Sequence, residues 1–183
     1  MNLAVLKRTR RRPKAGDIFA MLPPDGLYLY GRVIATDANP IGVPGANLIY
    51  VYRARATEKE AVPELLRGQL LVPPMMTNNR PWTMGYLEFL EHRALGPIDR
   101  LPQHCFRDSR GWYLDERRER LPGPIEPVGA FGLHGFRTID DEISRALGIP
   151  LAPDRSPDVR TAVGWSACRL GEMDAEQKSD GGA

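Results

Sequence analysis

From Gly16 onward the chain carries short apolar and aromatic runs of strand length, punctuated by Pro, Gly, Asn and Asp. That pattern predicts strands rather than helices. Residues 17–22 (DIFAML) and 27–35 (LYLYGRVIA) flank Pro23-Pro24-Asp25-Gly26. Asp-Gly between apolar runs predicts a hairpin, because glycine adopts positive φ without a Cβ clash. Gly31 inside the second run predicts a bulge or a sharp bend. A Pro/Gly/Asn loop over 37–47 then leads to LIYVYR at 48–53, which reads as a buried central strand. Three curled strands in succession predict a small antiparallel sheet or an SH3-like open barrel.

The middle of the chain is mixed. Glu58 to Leu66 predicts a short helix limited by Pro63. Residues 69–72 predict a strand stopped at Pro73-Pro74, and 82–90 a strand interrupted at Gly85. The runs 104–107 and 111–114 enclose Asp108-Ser109-Arg110 and predict a second hairpin, followed by a self-compensating charged stretch, Arg117 to Arg120. One helix stands out. Thr138 is placed to cap it, with Asp140 and Asp141 near the positive end of its dipole. Ile139, Ile143, Ala146 and Leu147 share a face, and Gly148 and Pro150 end it. The expected fold class is therefore α+β and β-rich, a curled sheet or open barrel with a C-terminal helix packed on it.

Composition changes this picture little. A chain of 183 residues with 42% hydrophobic content fits one domain with tails. No run approaches a membrane span, and two cysteines far apart make no disulfide framework. Charge is more informative. The formal net charge of +2 conceals a run of six cations, Lys7, Arg8, Arg10, Arg11, Arg12 and Lys14. Without them 19 basic residues face 23 acidic ones, and the last dozen residues are acidic. This predicts a flexible basic leader over 1–15, a single domain over 16–150 and a partly disordered extension over 151–183. A twin-arginine export signal would need an apolar segment after the arginines, and Pro13-Lys14-Ala15-Gly16-Asp17 follows instead. The expected location is cytoplasmic.

Candidate chemistry is sparse. Cys105 adjoins His104, but strand neighbours point to opposite faces; His92 and His134 are the other imidazoles. Gly164-Trp165-Ser166-Ala167-Cys168 begins like a nucleophile elbow yet lacks its second glycine. Gly129, Gly132 and Gly135 precede the helix without the spacing of a phosphate loop, and Asp140 and Asp141 would repel a phosphate there. The carboxylate pairs Asp140/Asp141, Asp115/Glu116 and Glu88/Glu91 read as solvated faces or helix-start charges. Three scattered histidines do not make a metal site. No catalytic residue, cofactor or metal is expected. Among the aromatics, Tyr28, Tyr30, Trp82 and Trp112 are the candidate partner-binding anchors, since Tyr and Trp dominate interface hot spots.

The order of motifs carries a resemblance. Gly16-Asp17-Ile18-Phe19-Ala20, then Asp25-Gly26, then Tyr28-Leu29-Tyr30-Gly31-Arg32-Val33, behind a Lys/Arg-rich leader, resembles the opening of the bacterial immunity protein 26 family. The strand at 48–52, Trp82-Thr83-Met84-Gly85, the aromatic hairpin 105–114 and Gly132 to Ile143 extend it over roughly residues 7–149. The resemblance implies a cytosolic, non-catalytic immunity protein of a polymorphic or contact-dependent toxin system, with a cognate toxin domain as its partner. Toxin-contacting residues are not part of the shared motif. An acidic surface that mimics phosphate would suit inhibition of a nuclease, but the near-neutral body does not call for one. Two alternatives stay open: a small-barrel nucleic-acid-binding module using the basic leader, and a cysteine hydrolase built on Cys105 with His134.

Overall fold

The computed structural model describes residues 1–153. The elbow-like Gly164–Cys168 segment, the acidic tail and the extension beyond 153 lie outside the described residues. Strands β1 (Asp17–Met21), β2 (Tyr28–Ala38), β3 (Ala46–Ala56), β4 (Leu70–Thr77), β5 (Glu88–His92) and β9 (Leu133–His134) form one six-stranded sheet in the order β5-β1-β2-β3-β4-β9. All neighbours are antiparallel except β4 and β9. Strands β6 (Cys105–Arg107), β7 (Tyr113–Leu114) and β8 (Val128–Ala130) make a second sheet, β7-β6-β8. Helix α1 (Arg80–Thr83) is one turn, and α2 (Phe136–Ala146) closes the described chain. The sheet is open and carries the C-terminal helix, as expected from the sequence.

Period-two alternation sorts the central strands between two cores. Leu29 and Val33 of β2 and Ile49 and Val51 of β3 face one side, where Phe19, Trp82, Ile139 and Ile143 join them. Tyr30 and Ile34, with Leu48, Tyr50 and Tyr52, face the other. Three tyrosines on one face bring three hydroxyls into the interior, and two of these tie down covering loops. Tyr30 Oη donates to the Glu58 carbonyl at 2.9 Å. Tyr50 Oη accepts from Leu101 N at 3.0 Å. The bend expected at Gly31 is present, with a register shift between Leu29 and Gly31. A side chain there would collide with the Phe19 ring, which lies directly across the β1–β2 pair.

Several local expectations give way to tertiary contacts. Residues 58–66 form a short turn and then irregular chain rather than a helix, with the Glu58 carbonyl accepting from both Tyr30 Oη and Ala61 N. β4 runs through Pro73-Pro74. Its ladder with β3 shifts register between Met75 and Val72, and β9 pairs with it only from Met76, so neither proline nitrogen is required. The expected 82–90 strand begins only at Glu88. Ahead of it Pro81 favours a helical first turn, and Gly85 at φ 85° ends it. α2 starts two residues before Thr138, with Gly135 as its N-cap, and Gly148 at φ 69° ends it as expected.

The basic leader is the largest correction. Residues 1–15, expected as a solvated tail, lie along the edge of the core as a strap. Ala4 N, Leu6 N and Thr9 N donate to the carbonyls of Leu22, Gly85 and Trp82. Leu3 is buried among Trp82, Ile139 and Ile143. Asp140, expected as a solvated helix-start charge, is fully buried and accepts Asn2 N at 2.9 Å and Leu3 N at 2.6 Å. Asn2 Nδ2 also reaches Ser144 Oγ and the Pro150 carbonyl. Farther along, the Arg11 guanidinium covers the Phe89 ring at 3.8 Å and pairs with the buried Asp17. Met1–Pro153 is thus one compact unit, with the leader built into it.

Candidate functional site

Burial divides the four aromatic candidates. Trp82 is fully buried, edge-on to Phe19 at 5.5 Å and stacked on Phe89 at 5.4 Å. Tyr30 is fully buried, and burial raises its phenol above the ordinary range. Neither has surface to offer a partner: Trp82, on α1, fills one core and Tyr30, on β2, the other. Tyr28 is half-buried against the tyrosine face. Trp112 keeps 42% of its surface exposed.

Trp112 sits beside the ribbon that β7 forms with residues 120–121, through the Leu114–Arg120 bridge and Leu121 N donating to the Tyr113 carbonyl. Two turns of the same kind shape this region. Asp108 Oδ1 accepts from Arg110 N at 2.9 Å and Trp112 N at 2.8 Å. Asp115 Oδ1 accepts from Arg117 N at 2.9 Å and Glu119 N at 2.7 Å. Both are Asx turns, in which the carboxylate substitutes for a backbone acceptor. Glu116 accepts from His104 Nδ1 at 2.9 Å. Burial pushes the Glu116 carboxyl up, but the bond and charge of His104 outweigh it and leave its pKa lowered.

In the charged stretch, acids and arginines are therefore not paired side chain to side chain. Three of the four acids between 107 and 120 are taken up by hydrogen bonds from backbone or imidazole, leaving Glu119. Arg107, Arg110, Arg117, Arg118 and Arg120 are all exposed, and none forms an ion pair among the described residues. The Arg120 guanidinium lies 4.2 Å from the Trp112 ring centre and that of Arg110 5.7 Å. An open groove of about 510 Å³ runs along Trp112, Tyr113, Arg120, Leu121 and Pro122. At the ribbon's far turn Arg118 adopts φ 76°, and its Nη1 lies close against Gly42. That contact, with Asn39 N donating to the Glu116 carbonyl at 2.7 Å, sets the 39–45 loop beside the arginines. Ile41 and Val43 of the loop are 62% and 65% exposed.

His104 anchors the region to the main sheet, meeting Tyr50 Oη at 2.6 Å through Nε2. Desolvation pushes Tyr50 up to about 12. This Tyr–His–Glu row resembles a proton relay in layout, but its phenol is fully buried and holds its proton. It acts as a brace between β3 and the ribbon. Cys105 is also buried, its Sγ accepting from Ile125 N. His134 is engaged elsewhere, its Nδ1–H donating to the Met76 carbonyl. The structure brings no base onto Cys105, so the proposed hydrolase pair is not assembled.

A second concavity, about 580 Å³, lies over Ile18, Leu65, Ile98 and Arg32. Arg32 closes it from within, bonded to Asp99 at 2.8 Å and to the carbonyls of Arg93 and Ala94. Its guanidinium terminus is thus committed to holding the chain after β5. Among the described residues no cluster of His, Cys, Asp or Glu could hold a metal ion. Among them, too, no helix is long and apolar enough to cross a membrane.

Of the four aromatic candidates Trp112 is the most exposed, and the arginines around it were not among the residues singled out from the sequence. The signal was present as a repeated Asp-x-Arg spacing at 108–110 and 115–117, which marks acids turned onto their own backbone. Compared with known families, residues 14–109 match the family model described as Immunity protein 26. No curated protein and no solved structure matches the chain.

Proposed function

Since the chain belongs to the immunity protein 26 family, we propose that it binds a cognate toxin domain of a polymorphic toxin system in the cytoplasm and blocks it without catalysis. The match over residues 14–109 is the observation that carries this reading. The exposed Trp112 supports it, because a large ring left at the surface is the usual centre of a binding hot spot. Inhibition then needs only a tight, rigid interface. The brace from Tyr50 through His104 to Glu116 supplies rigidity by fixing the ribbon to the sheet.

The test is co-expression. Cells carrying the toxin domain encoded beside this gene are expected to grow when this protein is present and to stop when it is absent. Undiminished toxicity in the presence of the folded protein would sink the reading.

A further inference from the structure

Resting on that reading, we infer that the toxin domain docks on the Trp112 face and presents an acidic surface to it. The Arg120 guanidinium lies over the indole face, which holds the group beside the ring and leaves its N–H groups open to a partner. Such a fork matches a carboxylate with two parallel hydrogen bonds. Arg110 flanks the same ring, and Arg117 and Arg118 extend the positive charge along the ribbon. Arginines this numerous, without ion-pair partners in their own chain, repel one another and are relieved by a partner of opposite sign.

The apolar elements favour a protein over a nucleic acid. Ile41 and Val43 project beside the arginines, and Leu121 and Pro122 line the groove next to Trp112. Charges around apolar anchors make a protein interface, with a desolvated centre and a polar rim. The strap is the other cationic surface, with Lys7, Arg8, Arg10 and Arg12 exposed. It lacks an exposed aromatic ring, and its Arg11 is already paired with Asp17. The face is opposite in sign to a phosphate mimic. A toxin held here is recognised through its own carboxylates.

The experiment is calorimetric titration of the full chain with the toxin domain encoded beside its gene, at low and at physiological salt. Wild-type binding is expected to weaken about tenfold with salt, and Arg110→Glu/Arg120→Glu to weaken it at least about a hundredfold. Trp112→Ala is expected to cost about thirtyfold. Arg145→Glu, at an exposed position on α2, is expected to leave binding unchanged. Circular dichroism and melting curves check that each variant folds.

A double reversal that leaves affinity within about twofold, or tightens it, overturns the acidic-partner inference while the toxin reading stands. The same holds if only Arg8→Glu/Arg10→Glu abolishes binding. Tight binding of a single-stranded DNA oligonucleotide, lost in the Trp112-face variants, would reassign the face to nucleic acid. If the wild-type protein does not bind the toxin domain at all, the functional reading fails and the inference falls with it.

Discussion

Replacing Asp140 with alanine tests how the N-terminal strap is held. The carboxylate is fully buried and takes two backbone donors, Asn2 N and Leu3 N. If the strap stayed in place, both N–H groups would lose their partner, at about 1–3 kcal/mol each. Detachment of residues 1–6 avoids that penalty by letting water reach them. It gives up the burial of Leu3, worth about 2 kcal/mol, and the bonds from Ala4 and Leu6 to Leu22 and Gly85, worth about 1 kcal/mol each. The chain entropy regained on release offsets part of this. Detachment is therefore the cheaper route, and the net loss is expected near 2 kcal/mol. For a domain of this size that lowers Tm by about 4–8 °C. Amide exchange at residues 2–6 should rise at the same time, while the β2–β3 amides keep their protection. Deleting residues 1–6 should cost about as much as Asp140→Ala, and combining the two should add little. Full additivity, or a loss below about 0.5 kcal/mol, would refute the strap as a single unit hinged on Asp140.

Gly31→Ala places a methyl group against the Phe19 ring and 2.7 Å from the rigid Tyr50 carbonyl, so urea unfolding should show a loss of about 3 kcal/mol. Burial lowers the His134 pKa below 6.5. Its contribution to stability is complete above pH 6.5 and is lost as pH falls through the depressed value. Melting temperatures across pH 5–7 should fall accordingly, and His134→Asn, which retains a donor for the Met76 carbonyl, should flatten the slope. Glu116 acts lower on the scale. Its lowered pKa stabilises the fold above 4.5 and ceases to as pH falls through the folded-state value, a dependence that Glu116→Gln should remove. Trp112→Ala, by contrast, should shift stability by no more than about 0.5 kcal/mol, because the ring packs on the surface.

The strands and the C-terminal helix were legible because their signals are local. Alternation in 28–35 and 48–52 assigns residues to faces, and Asp25-Gly26 sets the first turn. What was not legible depends on contacts distant in sequence. Leu3 looks like part of a polar tail until Asp140, in the second turn of α2 and 137 residues away, supplies an acceptor for its backbone. Trp82 and Tyr30 carry the composition of interface anchors, yet their places opposite Phe89 and Glu58 put them in the interior. The Arg117–Arg120 stretch reads as balanced when charges are counted. Its arginines stand unpaired only because Asp115 is bonded to its own backbone and Glu116 to His104.

Those backbone-bonded aspartates have a consequence for how such a surface can change. An Asx turn needs an acceptor oxygen and not a charge, so asparagine can close the turns at 108 and 115 as aspartate does. Each exchange would add one unit of positive potential to the face while keeping its shape. Geometry thus needs only the accepting oxygen, while the charge depends on whether the second atom is oxygen or an amide nitrogen. A lineage following a changing partner could tune the strength of attraction in single-residue steps without rebuilding the ribbon.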